Sequence, residues 1–499
     1  MPIPENRFSR GQDRYDLVVD KNERDLTMTT LDETEACYLP ATQLVDLYQW
    51  KTLSPVEVVK DVLARIEAVN EPVNAFSKVD PDAALAEAKA SEARWMKSEP
   101  KGLVDGVPVT IKDLLFTKDV VTGRGCKATE GAQPAAEDCP SVARMREHGA
   151  VFVGHTTTPE LGWKGITDSP LTGVTRNPWD TSKTPGGSSG GGAVAAALGM
   201  GALHLGTDGG GSVRIPAGFT GVFALKPTAG RVPVYPASAF GSLSHVGPMA
   251  RTVEDAALAM NVMIQPDPRD FSALAYDPWD YRTGLDLGVR HLNIAFSPTL
   301  GFAEVDPEIA EIVAGAARVF EELGANVEQK DPGIEDPIDC FNKHWYWGCH
   351  KMISAYPDAA RADMDPGIVE VAEIGAGYSL AEFSAAMDER VALGEAMNAF
   401  HTEYDLMLTP ALPIAAFTAG QEVPEPGPGK RWTDWTPFTY PFNLTGQPAC
   451  VVPCGFTKAG LPVGLQIVGP RYADPLVMRA AGAFEEAHPF KMPKIVNVA

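Results

Sequence analysis

Apolar residues follow two kinds of repeat along this chain. Val59, Val62, Leu63 and Ile66 recur at the spacing of one helix face. Ser54-Pro55-Val56-Glu57 stands just before them and reads as a capping box: Ser54 caps, Pro55 suits the first turn, and Glu57 reaches back. Asp306 followed by Pro307 opens a second amphipathic helix, with Ile309, Ile312, Val313, Ala316, Phe320 and Leu323 on one face. Elsewhere the repeat shortens. The apolar runs 107–111, 151–153, 222–225 and 292–296 have strand length, and 141–148 and 193–198 fit helices. Strand and helix alternate from about residue 100 onward, which predicts an α/β fold.

The first thirty or so residues lack either repeat. Glu5, Arg7, Arg10, Asp13, Asp20, Lys21 and Glu23 are scattered through them, so they read as a polar arm. No charge-rich or Ser/Pro linker interrupts residues 100–480, and no internal repeat is visible. The Pro- and Gly-rich stretch 422–430 reads as a surface loop.

Charge and cysteine content narrow the class. The 499 residues carry 42 Lys plus Arg against 65 Asp plus Glu, a net charge of −23. Such a chain binds phosphate backbones and anionic lipid poorly, so neither nucleic acid nor membrane is an expected partner. The seven cysteines contain no CxxC pair. A disulfide scaffold or zinc ribbon is disfavoured, and reduced thiols fit a cytoplasmic location. The start lacks the apolar run of a signal peptide. The apolar stretch 190–206 is too short and Gly-rich to span a bilayer, which takes about 20 residues.

One region has the composition of a reactive site. Thr184-Pro-Gly-Gly-Ser-Ser-Gly-Gly-Gly192 is followed by Gly206-Thr-Asp-Gly-Gly-Gly-Ser-Val-Arg-Ile-Pro-Ala217. Glycine at this density is entropically costly and suits backbone that approaches a ligand closely. A phosphate-cradling loop would need a Lys-Ser/Thr after the glycines, which is missing. A flexible linker would not be flanked by apolar segments. A hydrolase site remains, with glycine N–H groups as oxyanion donors and a serine as nucleophile. No G-x-S-x-G elbow ties any histidine to that serine. Lys112, closing the apolar run Gly106-Val-Pro-Val-Thr-Ile-Lys-Asp113, offers a base if burial keeps it neutral. The competing reading is a solvated Lys112–Asp113 surface pair.

These segments resemble the amidase signature family of serine hydrolases. The likeness runs over roughly residues 40–490. It continues through Gly221-Val-Phe-Ala-Leu-Lys-Pro-Thr228, Asn443-Leu-Thr-Gly-Gln-Pro-Ala449 and Gly460-Leu-Pro-Val-Gly-Leu-Gln-Ile-Val-Gly469. It implies a large mixed central β-sheet surrounded by helices, with an N-terminal helical region. It also implies a Ser–cis-Ser–Lys triad. Ser188 matches the cis-serine, Ser212 the nucleophile that forms the acyl-enzyme, and Lys112 the base. The backbone of Gly209, Gly210, Gly211 and Ser212 would then hold the oxyanion. The division implied is an arm at 1–35, an amidase domain at 36–490 and a tail at 491–499. Within the domain, 36–75 lead in, 100–260 form the catalytic core, 270–440 the cleft and insertions, and 441–490 return to the core. Two departures bear on the pocket. Leu114-Leu115-Phe116 follow Lys-Asp where the family often has a polar residue, and His155 stands where lysine is common. Asp208 and Arg214 read as loop anchors.

The substrate is less legible. Cys340-Phe-Asn-Lys-His-Trp-Tyr-Trp-Gly-Cys349 is dense in aromatics, and Trp345, Tyr346 and Trp347 are candidate substrate contacts; a core helix is the equal alternative. Trp432 and Trp435 read as a lid or as loop packing. The resulting expectation is an amide C–N hydrolase acting on small amides, anilides (as an aryl acylamidase) or carbamates. It needs no metal or cofactor, and a homodimer stays open. The alternative is the glutamine-hydrolysing subunit of a tRNA-dependent amidotransferase.

Overall fold

The computed structural model describes residues 15–19, 26–30, 36–427 and 429–492. Eleven strands form one mixed sheet, in the spatial order Asn326–Gln329, Asn293–Phe296, Leu406–Pro410, Pro462–Val468, Ala449–Phe456, Phe223–Lys226, His245–Ala250, Leu203–Asp208, Pro108–Lys112, Val151–Thr156 and Phe76–Val79. Parallel pairing joins Pro108–Lys112 to both its neighbours, and the middle strands from Leu406–Pro410 to Leu203–Asp208 pair antiparallel. This is the large mixed sheet the family resemblance implies. Helices cover it, because its central strands are apolar on both faces.

The sequence signals act where they stand. Ser54 accepts from the Glu57 N–H (3.2 Å) and Glu57 Oε2 from the Ser54 N–H (3.0 Å), starting the helix Pro55–Val73. Its Val58, Val59, Val62, Ile66, Val69 and Val73 are buried. Asp306 caps Pro307–Glu322, whose Phe320 stacks on Phe484 of the helix Asp474–Ala487. The run read as 222–225 is displaced by one residue to Phe223–Lys226, which carries Lys226 into the sheet, fully buried.

Tyr15–Val19 and Leu26–Thr30 pair antiparallel inside the stretch read as a patternless arm. The rest of that arm and residues 493–499 of the tail lie outside the described residues. Among the described residues no helix is long and apolar enough to cross a membrane. All seven cysteines are buried, and none is joined in a disulfide.

Candidate active site

Three chain segments converge at one end of the central strands. Lys112 ends the strand Pro108–Lys112. Ser188 and Ser189 precede the helix Gly190–Ala197, and the Gly187–Ser188 peptide is cis. Asp208 ends the strand Leu203–Asp208, and Ser212 follows three glycines, just before the helix Arg214–Thr220.

The glycines are a matter of space. Every residue of Gly190–Ala197 is buried. A Cβ on Gly190 would lie 2.3 Å from Thr167 Oγ1, and one on Gly191 would lie 2.5 Å from the Ala75 carbonyl oxygen. Only hydrogen fits there, so the segment is tightly packed rather than a flexible linker.

Lys112 is fully buried, so the surface-pair reading of Lys112 and Asp113 does not hold. Its Nζ lies 2.7 Å from Ser188 Oγ, 2.9 Å from Ser189 Oγ and 2.9 Å from Thr207 Oγ1. All three partners are hydroxyls, which donate or accept equally well. A neutral amine can donate to two and accept from the third. Burial holds the amine well below its ordinary range, with the Asp208 charge opposing that shift. Sequence reasoning gave no role to Ser189 or Thr207. The doubled serine was the available signal for the first, and nothing marked the second.

Ser212 is brought alongside by the backbone. The Ser189 N–H donates to the Ser212 carbonyl (3.0 Å), clamping the two serine segments together. Gly211 N–H donates to Asp208 Oδ1 (2.8 Å) and Val213 N–H to Oδ2 (3.2 Å). This corrects one expectation: the Gly211 amide is taken by Asp208 and does not face an oxyanion. Asp208 and Arg214 anchor the loop as anticipated. The guanidinium grips the carboxylate with two 3.0 Å bonds and also donates to Thr439 O, Gln466 Oε1 and Asn443 Oδ1. Burial works against ionisation of Asp208, but the Arg214 charge and hydrogen bonds hold its carboxyl well below the usual range. Asn443 Nδ2 completes the cage by donating to Asp208 Oδ1 (2.8 Å).

Ser188 and Ser212 open into a cavity of about 390 Å³. Leu114, Phe116, Leu161, Phe240, Trp345 and Tyr356 are among its walls. Leu114, Leu115 and Phe116, the departure noted from sequence, all line it. Trp345 is 2% exposed and stacks on Phe240 with centroids 3.8 Å apart. Tyr346 and Trp347 do not join it. Tyr346 is buried in the apolar cluster behind the helix Ile338–Ile353, and Trp347 is 41% exposed to solvent. Adjacent positions on a helix point about 100° apart, so one of the three rings reaches the cleft. Trp432 and Trp435 are buried and pack as core.

His245 also lines the cavity. Its Nδ1 sits 2.8 Å from the Leu243 carbonyl and 3.1 Å from that of Asp208, so Nδ1 carries the proton. Nε2 lies 3.5 Å from Lys226 Nζ, and burial pushes that amine down to about 7. His155, the other departure, is buried against Thr117 Oγ1 (3.0 Å), outside the cavity lining. Among the described residues no group of three or more His, Cys, Asp or Glu side chains is arranged to hold a metal ion.

A cis peptide before a buried serine, a buried lysine among hydroxyls and a second serine after a glycine run, all on a mixed sheet, define a class. The model of the amidase family matches residues 57–478, and the chain belongs to the amidase signature family and is an amidase. It is 34% identical over 475 residues to an acylamidase of Rhodococcus erythropolis, covering 92% of this chain and 98% of that one. It is 36% identical over 464 residues to a glutamyl-tRNA(Gln) amidotransferase subunit from Myxococcus xanthus, covering 88% and 94%. Among solved structures it superposes on a bacterial aryl acylamidase with a TM-score of 0.86 at 34% identity, over 91% of this chain and 96% of that chain. A 6-aminohexanoate cyclic dimer hydrolase superposes at 0.84 with 27% identity, over 92% and 100%.

Proposed function

We propose that Ser212 is the nucleophile of a Ser–cis-Ser–Lys triad and that the enzyme hydrolyses small amides and anilides. The observation that carries this is the buried Lys112 amine, surrounded by hydroxyls, with Ser188 as its nearest partner. Burial lowers the amine's pKa and so favours its neutral form, which accepts a proton through Ser188 as Ser212 attacks the amide carbonyl. The N–H groups of Gly209, Gly210 and Ser212 receive the developing oxyanion, since that of Gly211 is engaged by Asp208. The same relay returns the proton to the leaving amine, and water then hydrolyses the Ser212 ester.

Apolar walls favour an aryl or alkyl substrate. A carbamate presents the same carbonyl and is accepted if its alkoxy group fits. The second reading, glutamine hydrolysis within an amidotransferase, is supported by the M. xanthus relative. The cleft argues against it: glutamine carries an α-ammonium group, and among the described residues no Asp or Glu lines the cleft to pair with it. The deciding experiment is a screen of the purified chain for amine release from acetanilide, octananilide, an alkyl carbamate and glutamine. Anilide cleavage by the chain alone supports the proposal. Glutamine cleavage that appears only with added partner proteins and tRNA overturns it.

A further inference from the structure

The cleft differs in charge from the rest of the molecule. The chain has 65 acidic residues, yet among the described residues none lines this cavity, while Arg124 and Lys351 both do. Arg124 stands at a junction. It lines the catalytic cavity together with Phe116, Cys139, Tyr235, Pro236 and Tyr356, and the same six residues also line an adjoining cavity of about 400 Å³. Its guanidinium lies over the Phe116 ring at 4.9 Å, beside the Tyr356 hydroxyl. The two acids of the adjoining cavity are already held: Asp138 pairs with Arg146 (2.7 Å) and Glu137 with Arg269 (2.7 Å). Asp113 is near enough to feel the Arg124 charge, but it accepts the Gly123 N–H, and among the described residues Arg124 forms no ion pair.

The depth of the cleft follows from one helix. Trp345 packs where a Cβ on Gly209 would fall, 2.9 Å from its ring, which marks the end next to Ser212. Met352, seven residues on, lines the same cavity, and Tyr356 follows just past the helix end. Seven helical residues rise about 10 Å. Arg124, beside Tyr356, therefore stands toward the Met352 end of the cleft, away from the Trp345 end next to Ser212.

We infer that Arg124 is a specificity residue that pairs with a carboxylate carried by the substrate at the end of the cleft away from the scissile amide. The inference rests on the amidase reading of Ser212. It extends that reading to a substrate class: amides with an apolar spacer and a terminal carboxylate, with Lys351 as a more exposed second cation. A planar, permanently charged guanidinium fixed by stacking is suited to bidentate carboxylate recognition.

The test uses monoanilides of succinic, adipic and suberic acid against alkyl anilides of equal length. A second arm, 4-acetamidobenzoate against 4-methylacetanilide, reports a carboxylate on the amine side. The carboxylate is expected to raise kcat/KM for the longer spacers and not for the succinyl one. Arg124→Gln should lower kcat/KM for suberanilate relative to octananilide by about ten- to a hundredfold, chiefly through KM. Arg124→Lys should recover part of the loss. Equal kcat/KM for charged and neutral partners in both arms, or a loss in Arg124→Gln that is the same for both, overturns the inference. If no anilide is cleaved, the amidase reading of the substrate fails instead. Calorimetric titration of suberanilate into Ser212→Ala, with and without Arg124→Gln, still decides the role of Arg124: affinity that ignores the arginine overturns it.

Discussion

The Gly- and Ser-rich stretches around Ser188 and Ser212 and the aromatic helix Ile338–Ile353 meet face to face, yet they are built on opposite terms. In the first, nearly every side chain is reduced to hydrogen or hydroxyl, and position is fixed by backbone contacts and the Asp208–Arg214 cage. In the second, position is fixed by ring packing: Trp345 stacks on Phe240 and on Phe341, and edges against Trp432. A Cβ on Gly210 would collide at 2.7 Å with both Phe341 and Trp432. The glycines are what let the aromatic wall come this close to Ser212. The proposed chemistry falls on the rigid polar side, and the apolar side shapes the cleft.

Mutations on the two sides should therefore differ in kind. Ser212→Ala should lower kcat by a factor on the order of 10⁴ while leaving Tm near that of the native protein. Activity within tenfold of wild type would remove Ser212 from its role. Lys112→Met should cost about 10²–10⁴ in rate, the range for a lost general base. It should also remove the acid limb of the pH–rate profile: in the native enzyme the rate should fall with falling pH as Lys112 takes up a proton. A variant that keeps that limb assigns it to another group. Asp208→Asn leaves the Arg214 guanidinium buried without its countercharge and should destabilise the fold by about 3–5 kcal/mol, read from denaturant unfolding. A change below about 1 kcal/mol would mean the cage is not needed to hold the loop.

On the aromatic side the expected effects are smaller and split by position. Trp345→Phe should raise KM for anilides several-fold with a small loss of Tm, whereas Trp347→Ala should change stability by less than about 1 kcal/mol and leave KM alone. The reverse pattern would place the substrate on the other face of the helix. The smallest effect is on stability against pH. Burial pushes His155 and His344 down to about 4 from 6.5. As pH falls from 6.5 toward 4 the unfolded chain binds protons that the native imidazoles refuse, so stability drops across that window and levels below it. His155→Gln should flatten part of the slope in Tm, and an unchanged slope would show that other groups set it.

Much of the polar side was legible in the sequence. Ser188, Ser212 and Lys112 stand in motifs whose residue types are demanded by the backbone, and such demands are local. Gly211 shows the limit. Its φ of +128° suits glycine, but whether its N–H faces substrate depends on Asp208, three residues away and folded back beneath the loop. The aromatic side was legible only as composition. That Trp345 faces the cleft, Tyr346 the core and Trp347 the solvent depends on the rotation of one helix about its axis. Contacts with Phe240, Gly375 and Trp432 set that rotation.

By itself, the order of residues determined the alternation of strand and helix, the capped helix starts, the glycine runs and the reactive residue types. Each of these follows from steric and hydrogen-bonding preferences within a few neighbours. Tertiary structure alone decided that Lys112 loses water and with it part of its hold on a proton, that Ser189 and Thr207 join Ser188 around it, and that Arg124 faces a cleft without an acid among the described residues. Desolvation is a property of everything packed around a group, and those neighbours come from segments up to hundreds of residues apart.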